Sequence, residues 1–205
     1  MFSQMKEFVF GLFAPLWYSG YFWHFMLMAP VFIPFLISPF LPVRSKAKAV
    51  VEVDCSSKKI WEVLTEDPSK CTIGPLGGNM DQQVKELEII TKGKDGVTEW
   101  KESFREGNVV TTVTTAEASK GKGRIVREMT TSGANMSAYW MYDIKKMGEK
   151  RCRITLSGHT DIKSGHWTTY VFRFSSWVTG GPKKGMVDHL NLVTEAAGAK
   201  RKWIS

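Results

Sequence analysis

Between Phe8 and Val43 the chain has no lysine, arginine, aspartate or glutamate, and its one histidine there is His24. A charge-free run of that length excludes an ordinary surface helix, and it exceeds the roughly 7–15 apolar residues at the core of a signal peptide. Cysteine is scarce too. Cys55, Cys71 and Cys152 are the three in the chain, widely spaced and in no CxxC pair. That excludes a disulfide framework and a structural zinc site, and reads as reduced core thiols. There is no phosphate-cradling glycine motif and no GxSxG elbow, and internal repeats and low-complexity tracts are missing. The net charge is +8, but the lysines are scattered among acids and no aromatic RNA-reading motif accompanies them, so nucleic acid is not an expected partner. No cofactor and no metal are implied.

What is present begins with Phe8–Val43 itself, which reads as a retained membrane anchor, since about 20 apolar residues span the hydrocarbon core as a helix. Five prolines shape it: Pro15, Pro30, Pro34, Pro39 and Pro42. Leu16 to Ala29 is free of proline, whereas after Ala29 proline recurs too often for a straight helix. Two arrangements follow. One is a single span over Phe8–Ala29 with a broken interfacial segment after it; the other is a hairpin turning near Pro30–Pro39. Arg44, Lys46 and Lys48 follow with no acid before Glu52, so the positive-inside rule puts the rest of the chain in the cytosol, on an endomembrane such as the endoplasmic reticulum. The expected division is an anchor over 1–43 and one domain over 44–205.

In that domain Ala47–Val53 alternates as a strand, and Ser57–Thr65 follows as a helix after the caps Asp54-Cys55-Ser56. Thr72–Asn79 is loop by composition. Six strands come next, over Gln82–Ile90, Val97–Arg105, Val109–Ala116, Arg124–Thr131, Met136–Lys145 and Arg151–Asp161, joined by short glycine-containing turns. His166–Trp203 reads helical, interrupted at Gly180-Gly181-Pro182 and resuming over Lys184–Lys200. There Val187, Leu190, Val193 and Ala197 form the apolar stripe.

That order, with VEVDCSSKKIWEVLTEDPSK at its head and KKGMVDHLNLVTEAAG at its tail, resembles the START-like superfamily of polyketide cyclase/dehydrase, lipid-transport and plant allergen-type proteins. The resemblance implies an α+β helix-grip fold: a curved seven-stranded antiparallel sheet around a long C-terminal helix, with an apolar cavity between them. It also implies a hydrophobic small-molecule ligand, a lipid, sterol, polyketide or terpenoid. The anchor and the GGP break depart from the family's pattern.

Alternation selects the residues that face such a cavity. Trp100, Glu102 and Phe104 share one strand face, so Glu102 is a candidate general acid or base if those aromatics point inward. Trp140 and Tyr142 share a face with Met136 and Ala138, making Tyr142 a candidate catalytic or binding hydroxyl. Arg127 and Glu128 compete for the inward face of their strand. On the first C-terminal helix Tyr170, Phe174 and Trp177 form a stripe beside Arg173, whose guanidinium suits a ligand carboxylate. His159 and Asp161 share a face that reads as exposed, and His189 reads as lying on the solvent side of the last helix. The expected function is membrane-anchored binding or transfer of a hydrophobic molecule. The alternatives are a metal-free cyclase, dehydratase or isomerase of the same fold, and a membrane-tethered adaptor without a ligand.

Overall fold

A computed structural model describes residues 32–66, 84–94, 97–104, 109–119, 122–132, 135–163 and 167–204. The anchor expected over Phe8–Val43 lies outside the described residues as far as residue 31. From there residues 32–37 are α-helical (α1) and a 3-10 turn covers Ser38–Phe40. Among the described residues, no helix is long and apolar enough to cross a membrane.

One antiparallel sheet carries the rest. Its strands are β1 (Arg44–Val53), β2 (Val84–Lys94), β3 (Val97–Phe104), β4 (Val109–Ser119), β5 (Lys122–Thr131), β6 (Met136–Gly148), β7 (Arg151–Ile162) and β8 (Arg201–Trp203). They lie in the order β2-β3-β4-β5-β6-β7-β1-β8. Helix α2 (Ser57–Thr65) follows β1, and α3 (Trp167–Thr179) and α4 (Gly181–Ala196) follow β7. Ser56 caps α2 by accepting from the Lys59 amide at 3.3 Å. Strand β1 starts at Arg44 rather than Ala47 because Arg44 lies opposite Asp161 and holds its carboxylate with two donors, at 2.8 and 2.7 Å. That pairing absorbs Asp161, while His159 stacks on Tyr139.

Among the described residues the sheet has eight strands where seven were expected, and the last helix ends early. Gly198 takes the left-handed conformation at φ +59°. Its amide donates to the Glu195 carbonyl and that of Ala199 to Thr194, the pair of bonds of a Schellman motif. The chain then turns back and pairs Arg201–Trp203 with Val51–Val53. Gly180, at φ +63°, separates α3 from α4, with Pro182 in the first turn of α4.

Helix α4 lies against β1 and β7, with α2 beside it. Met186, Leu190 and Val193 of α4 and the C-cap Ala197 meet Ala49 and Val51 of β1, Ile154 and Leu156 of β7, Ile144 of β6, and Ile60 and Leu64 of α2 in one buried cluster. Full burial of each large apolar side chain stabilises by about 1.5–3 kcal/mol.

A β-carbon at Gly158 would fall 2.0 Å from the Tyr139 carbonyl oxygen and 3.0 Å from the Trp140 Cα. The obstacle is backbone, so β7 would have to shift away from β6. Gly158→Ala is expected to cost about 1–2 kcal/mol, read as a lowered Tm. An unchanged Tm would show that the two strands do not need this close approach.

Candidate functional site

Pleating and register bring a set of polar side chains to the sheet face beneath α4. One row across the strands runs Trp100, Thr112, Met129, Ala138; the next runs Thr98, Thr114, Arg127, Trp140, Gly158. Alternate positions on β6 put Trp140 and Tyr142 on the same inner side. His189 comes down on them from α4. Its ring lies 5.5 Å from that of Trp140 and 5.6 Å from that of Tyr142, both edge-on.

Several of these groups are costly to bury. Glu102 and Arg127 are 1% and 3% exposed. Glu102 Oε1 accepts a 2.8 Å hydrogen bond from Trp100 Nε1. Arg127 donates from Nη2 to the Leu64 carbonyl at 2.9 Å, one of the carbonyls that the end of α2 leaves without a helical partner. Its guanidinium also lies over the rings of Trp100 and Tyr142, at 5.4 and 5.5 Å. Tyr142 Oη and His189 Nε2 share a 2.7 Å hydrogen bond whose direction the tautomer sets. Desolvation first, and the Arg127 charge second, hold His189 well below the usual imidazole pKa. At neutral pH this ring is uncharged.

Trp100, Glu102, Thr112, Arg127, Met129, Trp140 and His189 border a cavity with about 10 Å³ of room for the centre of a water-sized sphere. That is space for roughly one water. Among the described residues, Thr112 Oγ1, Trp140 Nε1 and His189 Nδ1 are buried and have no hydrogen-bond partner. The indole N–H can only donate, whereas the hydroxyl and the imidazole nitrogen adapt. The cavity wall therefore suits an oxygen that accepts from Trp140.

The family resemblance implied an apolar cavity; the cavity bordered by these residues is small, because Trp100, Met129, Trp140 and His189 fill this part of the grip, and polar groups of Glu102, Thr112, Arg127 and His189 share its lining with apolar ones. Of the residues that alternation selected, Trp100, Glu102, Arg127 and Trp140 meet at this cavity, and Tyr142 sits beside it. Glu128 turns outward and is exposed, so Arg127 takes the inward place. The Phe104 side chain lies outside the described residues.

Tyr170, Arg173, Phe174 and Trp177 are elsewhere, because α3 packs on the turn Ser38–Phe40, on α4 and on β7 rather than in the grip. Arg173 is buried, but its donors go to the Ser38 and Ile162 carbonyls. Tyr170 meets Phe35, Phe174 meets Trp177, and Trp177 is exposed.

His189 was placed on the solvent side and is instead fully buried. Met186, His189, Leu190, Val193 and Ala197 follow i, i+3, i+4, i+7, i+11, a helical face that Met186 marks in the sequence. Val187 is only half-buried, so the stripe is rotated by about one residue.

No family model matches the chain, and no curated protein matches it. Solved structures do. The Zhui aromatase/cyclase from Streptomyces sp. R1128 superposes with TM-score 0.57 at 15% identity, over 76% of this chain and 94% of that one. Human STARD10 gives TM-score 0.51 at 18% identity, over 74% of this chain and 62% of that one. A conserved protein from Geobacillus kaustophilus gives 0.51 at 13%, over 77% and 99%. At such identities the likeness is one of architecture, and it agrees with strand order, sheet and closing helix: the chain has the START-like helix-grip fold.

Proposed function

We propose that the protein binds a hydrophobic small molecule by its oxygen-bearing end, held in the cavity beneath α4. The observation that carries this is the group of buried polar atoms around one water-sized space, Thr112 Oγ1, Trp140 Nε1 and His189 Nδ1, next to the buried side chains of Glu102 and Arg127. Stability alone does not call for them, since apolar side chains of similar volume would fill the core as well or better. A carbonyl or hydroxyl oxygen occupies about the volume of one water and satisfies the indole N–H. The body of the ligand then needs room, and Met129, unbranched and adaptable, is the wall residue best suited to move. The likeness in fold to an aromatase/cyclase and to STARD10 supports the same reading.

Membrane anchoring through Phe8–Val43, with the domain facing the cytosol, belongs to this proposal, because an anchor raises the effective concentration of a membrane-dissolved ligand. Native mass spectrometry of the full chain released from detergent is expected to show a bound lipid or metabolite. Trp140→Phe keeps an aromatic ring but removes the N–H, and should lose that mass. A wild-type chain with nothing bound sinks the reading and favours the adaptor; a variant that retains its ligand in full shows that the ligand is not held by the Trp140 N–H and sinks the proposed site.

A second reading is catalytic, and one observation favours it: the Tyr142 hydroxyl is paired at 2.7 Å with a neutral His189. That pair can pass a proton to or from a ligand oxygen, with Glu102 as a further acid or base. Glu102→Gln separates the two: turnover falls while binding survives only if chemistry occurs.

A further inference from the structure

Helix α1 and the turn after it pack on α3 by one stripe. The Phe35 ring lies 6.1 Å from that of Tyr170. Arg173 donates from Nη1 to the Ser38 carbonyl at 3.2 Å and from Nη2 to the Ile162 carbonyl at 2.5 Å. Both contacts advance by three residues, 35 to 38 and 170 to 173, so the two segments run side by side in the same direction. The same offset pairs position 40 with position 175, two residues before Trp177.

The opposite stripe faces outward. Phe32, Leu36 and Phe40 recur every four residues and are 54%, 69% and 89% exposed, and Trp177 and Val178 are each 60% exposed. Scattered apolar side chains on a surface are ordinary, but five large ones on two adjoining segments mark a contact surface.

We infer that this face lies on a phospholipid bilayer, its five side chains sunk between headgroups and acyl chains, so that the domain sits flat on the membrane instead of swinging on a tether. The inference rests on the anchoring proposed above and adds the surface and the orientation. Three features point to lipid as the occupant. The charge-free run from Phe8 continues without a break into Phe32, so the outer stripe extends a segment whose composition suits hydrocarbon. Trp177 carries an amphipathic ring of the kind that settles at the headgroup level. Lys183, exposed, follows Trp177 and Val178 across the Gly180-Gly181 turn and offers positive charge to anionic headgroups, while Lys184 beside it pairs with Asp188 at 2.6 Å. Arg173 makes the arrangement rigid, because one buried guanidinium ties the turn after α1 to the end of β7.

The test uses the full chain in vesicles of phosphatidylcholine and phosphatidylserine, with the photocrosslinker p-benzoylphenylalanine in place of Leu36, Trp177 or, as control, Glu128. All three positions are exposed, so none disturbs the core. Lipid adducts from positions 36 and 177 and none from 128 are expected. A chain that floats with the vesicles but gives no lipid adduct at 177 overturns this inference and leaves the anchor standing. Adducts to residues 1–31 or to a second copy replace the bilayer as occupant, which also overturns it. A chain that does not float with the vesicles removes the anchor and this inference together.

Discussion

Arg127→Ala is expected to lower the unfolding free energy by about 3–4 kcal/mol, the largest loss among the substitutions considered. A charged donor's hydrogen bond contributes about 1.5–3 kcal/mol, and here it satisfies the Leu64 carbonyl at the end of α2. Contact with an aromatic face adds about 0.5–2 kcal/mol where water is excluded, and Arg127 lies over two rings, Trp100 and Tyr142. Truncation also leaves a hole in the floor of the site. Arg127→Met should cost less, because it fills the volume and carries no buried charge. The readout is alanine well below both methionine and wild type, with methionine level with or above wild type, by denaturant unfolding with an unchanged m-value. An alanine variant within about 1 kcal/mol of wild type would mean that α2 and the aromatic pair do not depend on the guanidinium.

The same residue shows what period-two reading can and cannot do. Strand faces were legible: alternation placed Trp100 and Glu102 on one side, and Trp140 and Tyr142 on one side, as the sheet has them. It left Arg127 and Glu128 open, because each flanks an apolar neighbour and a strand by itself has no preferred inside. The third dimension decided. Arg127 has the Leu64 carbonyl and two ring faces within reach, whereas Glu128 has none of these. Helices were harder. The Gly180-Gly181-Pro182 break was legible, since glycine and proline change the backbone itself. The end of α4 was missed, because Gly198 sat inside a pattern that still looked apolar every three or four residues.

His189 was lost for a related reason. Polar residues count against burial in any hydrophobic stripe, yet this one is buried with Tyr142 as hydrogen-bond partner. The stripe on α3 misled in the opposite way: its aromatics are real, but they serve α1 and the surface rather than the grip. The cavity's size was beyond the sequence altogether. It depends on which rotamers Trp100, Met129 and Trp140 adopt together, and no local pattern encodes that.

Fully buried His189 is the site's pH-sensitive element, and the sign of its effect follows from linkage. Burial and the Arg127 charge depress its folded-state pKa well below 6.5, so below pH 6.5 the unfolded chain takes up a proton that the folded chain refuses. Stability therefore rises with pH through this range and is complete above it. Each pH unit below 6.5 is expected to remove up to about 1.4 kcal/mol, or about 2 kcal/mol in all by pH 5. Asp161 and Glu52, held low chiefly by hydrogen bonds from Arg44 and Arg153, act in the opposite chemical sense but the same direction. Their contributions begin to fade only near the ordinary carboxylate values of 3.8 and 4.5, so they leave the window from pH 6.5 to 5 to His189. In His189→Gln, which keeps a hydrogen-bonding side chain toward Tyr142 but cannot titrate, unfolding free energy should be nearly flat across that window. Arg127→Met, by removing the second cause of the depression, should shrink the fall of stability across that window while its onset near pH 6.5 stays in place. A wild-type profile that is already flat from pH 6.5 to 5, or a glutamine variant that keeps the full slope, would show that the imidazole accepts its proton without leaving the fold. The site would then be wetter than its geometry implies.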